Sequence, residues 1–81
     1  MKTLNLVNPD ASRINYKKLP FPDGQQNIII TSSISESVQI KSRLNNWLDL
    51  ELISCAVASL REIDRDMEIH LYTPYIMGAV S

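Results

Sequence analysis

The part of the sequence that most constrains the fold is a strand–helix–strand pattern over residues 40–75, IKSRLNNWLDLELISCAVASLREIDRDMEIHLYTPY. Asn45 and Asn46 are good N-cap residues, and Asp49 completes a capping-box-like helix start with a charge that suits a helix N-terminus. After this start, apolar side chains recur every three or four residues, which indicates one broad apolar face of an amphipathic helix. This face has Leu50, Ile53, Val57 and Leu60 on one flank and Leu52, Ala56 and Ile63 on the other.

A second strand pattern follows the helix. Ile69 and Leu71 alternate with His70 and Tyr72 until Pro74 ends the run. A helical crossover of this length normally returns the chain parallel to its first strand. The stretch therefore predicts a right-handed βαβ unit.

Length and composition limit the class of protein. The chain has 81 residues, enough for one small domain, residues 1–81, near the lower limit of independent stability. Eight basic and nine acidic residues give a net charge of -1, which argues against an electrostatic nucleic-acid binder. The longest apolar run is far shorter than the ~20 residues of a membrane span, and the first residues lack the apolar core of a signal peptide. We therefore expect a cytoplasmic protein with no nucleic-acid or membrane partner.

The remaining strand patterns are short. They lie at residues 3–7, 14–19, 27–31 and 38–40. The β-branched run NIIIT at residues 27–31 is typical of a strand buried on both faces. Together with the βαβ unit, these runs predict an α/β fold: a small mixed sheet of four to five strands with one long helix.

Two loops have residues suited to a nucleotide. The first, PFPDGQQ, brackets Phe21 with prolines and leads into Asp23, which is typical of a rigid hairpin connection. The same loop offers a purine a stacking face with amide and carboxylate partners, and the sequence leaves both interpretations open. The second loop, TPYIMGAVS, follows the last strand, beyond whose carboxyl end open α/β sheets bind ligands.

Other candidate chemistry is sparse. His70 is a lone histidine on a strand, and we expect a surface or interface side chain. Cys55, the only cysteine, lies mid-helix, where a small apolar filler is expected. The sequence shows no metal-ligand spacing, glycine-rich phosphate loop, paired carboxylates or nucleophile with a nearby base. Trp47, at the helix start, is either a core residue or an exposed contact, and the sequence does not decide between these.

Three segments together resemble the N-terminal part of ribose-phosphate pyrophosphokinase (PRPP synthetase), most closely its bacteriophage-type members: FPDGQQ, IKSRLNNWLDLELISCAVASLRE and EIHLYTPYIMGA. The resemblance covers residues 16–79 and implies a truncated N-terminal half of a PRPP-synthetase-like (type I phosphoribosyltransferase-like) domain. In the family, a Phe-x-Asp-Gly loop reaches the neighbouring subunit's active site and contacts the adenine of ATP. The resemblance implies this adenine-contacting role for Phe21, Asp23 and Gln25.

The sequence departs from the family after the Pro-Tyr segment, which matches Pro74 and Tyr75. The family next carries an Arg-x-Asp-Arg motif that contacts ATP phosphates, whereas this chain has Val80 at the first arginine position. The family's catalytic histidine, flexible basic loop, metal ligands and ribose-5-phosphate loop have no counterpart in these 81 residues. Phosphoryl-type transfer needs cations and a metal placed around the phosphates. We therefore expect no catalysis and no cofactor for the chain alone, although the parent family uses ATP and Mg²⁺.

These features favour a non-catalytic, phage-encoded, PRPP-synthetase-like protein that acts by protein–protein binding. Its expected partner is a second copy, a full-length synthetase or a host protein, including a defence protein that it inhibits. The alternative is an N-terminal fragment of a ribose-phosphate pyrophosphokinase, which transfers pyrophosphate from ATP to ribose 5-phosphate. Because one helix covers only one face of a sheet, we expect an uncovered apolar face and homo-oligomers. The candidate interface residues are Trp47, Ile28, Ile29 and Ile30.

Overall fold

The structure, a computed structural model, describes residues 1–20 and 26–74. One α-helix, α1 (Trp47–Ile63), lies between the last two strands, and a 3-10 turn at Pro9–Ala11 follows the first strand. The described part of the chain is therefore a small mixed α/β domain. Its strands are β1 (Lys2–Asn5), β2 (Tyr16–Pro20), β3 (Gln26–Ile30), β4 (Val38–Lys41) and β5 (Ile69–Tyr72).

The strands are divided between two hydrogen-bonded sets. A parallel sheet has the order β1-β4-β5 and places Leu4, Ile40 and Leu71 in one register row. The strand–helix–strand stretch thus returns parallel, as the sequence predicts. The other two strands pair as an antiparallel hairpin, β2-β3. The predicted mixed sheet is thus divided into two sets among the described residues. The outward edge of β3 lies against α1, where the Ser59 hydroxyl donates to the Ile28 carbonyl.

The core lies between the parallel sheet, the hairpin and one face of α1. Leu4, Val38 and Ile40 come from the sheet and are fully buried. Side chains that recur at helical spacing along α1 pack against these residues. We estimate that burying each large apolar side chain stabilises the fold by about 1.5–3 kcal/mol. The other buried apolar residues are Leu6, Ile14, Ile28, Ile53, Ala56, Leu60 and Met67.

Local side-chain bonds fix the start of α1. Asn46 is the N-cap, and its Oδ1 accepts a hydrogen bond from the Asp49 backbone N at 3.0 Å. Asp49 Oδ2 in turn accepts from the Asn45 backbone N at 2.9 Å. The capping-box-like start is confirmed, with the reciprocal bond displaced by one residue to Asn45.

The end of α1 is also closed by hydrogen bonds. The backbone N of Asp64, the C-cap, donates to the Leu60 carbonyl at 3.1 Å. The Arg61 guanidinium donates to the carbonyls of Arg65, at 3.1 Å, and of Met67. A cation bound to carbonyls here also complements the negative end of the helix dipole. These contacts lead the chain directly into β5.

Two strand predictions need correction. β1 ends at Asn5, before the predicted end at residue 7, because Asn5 Oδ1 accepts from the backbone N of Val7 at 3.0 Å and of Asn8 at 2.9 Å. This local turn draws the backbone out of the sheet. The run at residues 27–31 is not buried on both faces, since Ile29 is 41% exposed. A two-stranded hairpin has only one face against the core, so alternate side chains point outward.

Candidate functional site

The start of α1 carries two large apolar side chains on the protein surface. Trp47 is 74% exposed and Leu48 is 68% exposed. Ala56, which is buried, lies nine positions after Trp47 in α1. At about 100° of rotation per residue, the two side chains lie about 180° apart around the helix axis. The question that the sequence left open is therefore answered by the structure: Trp47 lies outside the core.

Leu48 was not among the sequence-based interface candidates, although a signal for it exists. It stands next to Trp47 and lies outside the series of three- and four-residue steps that joins Ile53, Ala56 and Leu60. Leu50 was predicted on the apolar face but is also exposed, because it sits at the edge of that face near the helix start. Trp47, Leu48 and Leu50 together are called the helix-start patch below.

The three isoleucines of β3 have different environments. Ile28 is 1% exposed and packs in the core, so in this fold it presents no surface to a partner. Ile30 is partly buried against the core, whereas Ile29 points away from it. Of the three predicted interface isoleucines, only Ile29 is thus an exposed side chain.

A groove of about 300 Å³ lies between β3 and α1. Cys55 and Ser59 line the helix side, and the Ser59 hydroxyl donates to the Ile28 carbonyl at 2.5 Å. Cys55 is half-buried in this groove, which is consistent with a small packing residue near the surface. The groove also contains Glu62 at its helix side, so it is not purely apolar.

A second, smaller cavity of about 190 Å³ lies where β1 and β4 end. Lys18 and Arg43 line it together with Asp49, whose carboxylate already accepts the Asn45 backbone N–H. This is the end of a parallel sheet at which α/β proteins bind ligands. However, ligand pockets typically measure roughly 300–1,000 Å³, and Asp49 offsets part of the positive charge. The cavity therefore suits a small polar ligand better than a nucleotide.

Several predicted site residues lie outside the described residues. These are Phe21, Asp23 and Gln25, the adenine-contacting residues implied by the resemblance, and Tyr75 of the Pro-Tyr segment. His70 is described and is exposed; its Nε2 lies 3.2 Å from Glu68 Oε1. Both side chains of this pair are open to water, so the contact contributes little stability.

Residues 1–20 and 26–74 contain neither a candidate metal cluster nor a candidate membrane span. Within these ranges, His, Cys, Asp and Glu side chains do not come together in groups of three or more that could hold a metal ion. In the same part of the chain, no helix has the length and apolar character needed to span a membrane. Comparisons of the chain with protein-family models, curated proteins and solved structures found no match.

Proposed function

We propose that this chain is a non-catalytic, PRPP-synthetase-like, phage-encoded cytoplasmic protein that acts by binding another protein through the helix-start patch. The observation that carries the proposal is the exposure of Trp47 and Leu48 side by side at the first turn of α1. Tryptophan is one of the residues enriched among those that dominate binding energy at protein interfaces. A tryptophan and a leucine held on a rigid helix lose little conformational entropy when they bind.

Burial energetics support a protein partner for this patch. Covering a large apolar side chain contributes about 1.5–3 kcal/mol, so the patch can supply the centre of an interface. A specific complex buries at least ~1,000 Å² in total, which requires polar surface around the patch as well. Glu51 and Ser54 lie on the same exposed side of α1 and provide such a rim.

The shape of the cavity at the strand ends supports binding rather than catalysis. Its volume of about 190 Å³ is small for ATP, and the Asp49 carboxylate lines it together with Lys18 and Arg43. One carboxylate, already hydrogen-bonded to backbone, is a poor fit for Mg²⁺, which requires octahedral oxygen ligands. Its position at the carboxyl ends of parallel strands favours the alternative, that the chain is the N-terminal part of a ribose-phosphate pyrophosphokinase. In that case residues outside this cavity would have to supply the phosphate and metal sites.

The proposal is tested by binding assays with purified full-length ribose-phosphate pyrophosphokinase and with host lysate. Trp47→Ala should weaken saturable binding by about 30-fold, because truncating a hot-spot residue typically costs roughly 2 kcal/mol of binding free energy. The control is Leu19→Ala, which removes an exposed apolar side chain from β2, away from the helix-start patch, and should bind within about threefold of the wild type.

Two results would overturn the proposal. One is an absence of saturable binding by the wild type to either probe. The other is equal binding by the Trp47→Ala variant, which would show that the helix-start patch is not the contact surface. Circular dichroism of each variant separates lost binding from lost folding, and Trp47 is exposed enough that we expect its replacement to leave the fold intact.

A further inference from the structure

The outer edge of β1 is closed by the chain itself. Hydrogen bonds from Lys2 N to Ser37 O and from Leu6 N to Lys41 O show which backbone groups of β1 face β4. The alternate groups, on Thr3 and Asn5, face away from β4. Three of these four groups have partners within the chain: Arg13 N donates to Thr3 O at 3.0 Å, Asn5 N donates to Ser12 Oγ at 3.0 Å, and Tyr16 Oη donates to Asn5 O at 2.6 Å.

The edges of the hairpin are protected in part. Thr31 N donates to Asn15 O, so these two residues form a hydrogen-bonded pair of the antiparallel ladder. In this register the backbone N–H and C=O of Ile28 face away from β2. Ile28 O accepts from Ser59 of α1, and Ile28 N donates to Asn27 Oδ1 at 2.9 Å. On β2, lysines and a terminal proline, which lacks an N–H, discourage pairing at the outer edge.

The outer edge of β5, unlike that of β1, has no covering segment among the described residues. Bonds from Val38 N to Glu68 O, at 3.0 Å, and from Ser42 N to Tyr72 O, at 3.1 Å, define the groups that face β4. The N–H and C=O groups of Ile69, Leu71 and Thr73 therefore face outward. No strand of the described chain pairs with them. The neighbouring side chains are also uncovered, since Leu71 is 52% and Tyr72 is 47% exposed.

We propose that β5 pairs with β5 of a second copy of this chain, antiparallel, about a two-fold axis at Leu71. The two parallel sheets then become one continuous sheet, β1-β4-β5-β5-β4-β1. The inference is independent of the helix-start patch, since it depends only on backbone groups and on side chains of the sheet edge.

The sequence of β5 is self-complementary in this register. With Leu71 facing Leu71 across the axis, Ile69 faces Thr73 and His70 faces Tyr72. The outward groups of residues 69, 71 and 73 then form the hydrogen-bonded pairs of an antiparallel ladder. Glu68 faces Pro74, so no charge meets a like charge, which would be destabilising directly across a ladder. A two-fold axis through an antiparallel edge is also the simplest symmetry for a homodimer.

A four-residue edge limits the strength of this dimer. The strand β5 spans only Ile69–Tyr72, and we expect pairing along so short an edge to bury less than the ~1,000 Å² that marks stable interfaces. The expected assembly is therefore a weak dimer whose population rises with protein concentration. Short length is itself a common protection of an edge against uncontrolled pairing.

The experiment uses paired charge variants at position 71 and sedimentation over a wide concentration range. Leu71→Lys and Leu71→Glu each place like charges across the axis, so each should weaken dimerisation at least tenfold. An equimolar mixture should restore it, because lysine then faces glutamate. The control is Leu19→Lys, which changes another exposed leucine, on β2, and should dimerise like the wild type.

Self-association of the single variants and of their mixture distinguishes pairing at Leu71 from other contacts. Loss of self-association in both single variants, with recovery in the mixture, supports pairing at Leu71 and cannot arise from misfolding alone. A wild type that stays monomeric at the highest concentration overturns the proposal. So does a dimer that Leu71→Lys leaves unchanged, including one lost instead in Trp47→Ala, which would move the dimer contact to the helix-start patch.

Discussion

At the scale of single residues, Asn5 connects the first segments of the chain. It is buried, and its side-chain oxygen accepts two backbone N–H groups of the following turn. Its backbone carbonyl accepts the hydroxyl of Tyr16 from the hairpin at 2.6 Å. One asparagine therefore ends β1 and joins the parallel sheet to the start of β2, which explains why a polar residue is kept inside a small domain.

Tyr16 makes the stability of the protein sensitive to alkaline pH. Burial raises the pKa of Tyr16 above its ordinary value of 10.0. The folded state therefore holds this proton more tightly than the unfolded state. Its contribution is fully present below the unfolded-state pKa and is lost as pH rises from about 10 through the folded-state pKa.

Tyr16→Phe should remove this part of the alkaline loss. At about pH 8 the variant should be less stable by about 1 kcal/mol, because the Asn5 carbonyl loses its partner. The difference between variant and wild type should narrow at about pH 11, above the unfolded-state pKa of about 10, because the wild type then loses the stability that comes from holding its phenol proton. Urea unfolding at both pH values measures this, with Tyr72→Phe, at an exposed tyrosine, as the control. A constant difference would contradict the role assigned to Tyr16.

At the scale of elements, α1 depends on its N-terminal cap. The Asn46 side chain accepts the Asp49 N–H, one of the donors that a helix start leaves without an intrahelical partner. The first turn is exposed on the side of the helix-start patch and gains little from packing there. The cap is therefore needed to hold Trp47 and Leu48 in helical geometry.

Asn46→Ala should reduce the free energy of unfolding by about 1 kcal/mol, with the same urea slope as the wild type. Asn46→Ser keeps a capping oxygen and is the matched control, expected within a few tenths of a kcal/mol of the wild type. Amide hydrogen exchange should show faster opening of the first turn in the alanine variant alone. Equal stability of the alanine and serine variants would mean that the cap bond is not formed in solution.

At the scale of the whole molecule, small size makes each of these contacts matter. A chain of 81 residues is expected to have a total stability of only about 4–12 kcal/mol. The described domain also leaves two surfaces uncovered, the helix-start patch and the outer edge of β5. Such surfaces are typical of a protein that functions in a complex.

The whole chain should make no PRPP. Incubation with ATP, magnesium and ribose 5-phosphate should release no AMP above a heat-treated control, because the cavity at the strand ends is small and Asp49 offsets its cations. A full-length synthetase provides the positive control. Turnover by this chain, alone or as a dimer, would contradict the non-catalytic proposal and favour the alternative.

Features that depend on neighbouring residues along the chain could be predicted before the fold was known. Asn46 and Asp49 predict the helix start because capping bonds span three residues. The change from a 3.6-residue to a two-residue period predicts α1 followed by β5, and the crossover length predicts their parallel return. The function suggested by the resemblance stays a proposal, since its adenine-loop residues lie outside the described residues.

The association of the strands and the exposure of individual apolar side chains depend on contacts between distant segments and could not be predicted in this way. The run of isoleucines in β3 is equally compatible with a central strand and with a hairpin under a helix, because side-chain period does not specify the neighbouring strand. In the structure β3 packs against α1 with the face that carries Ile28, so Ile28 is buried and Ile29 is exposed. The open edge of β5 is likewise invisible in the sequence. Whether a sheet edge is covered depends on contacts between distant segments, such as those of Ser12 and Arg13 with β1. Local sequence propensity does not predict such contacts.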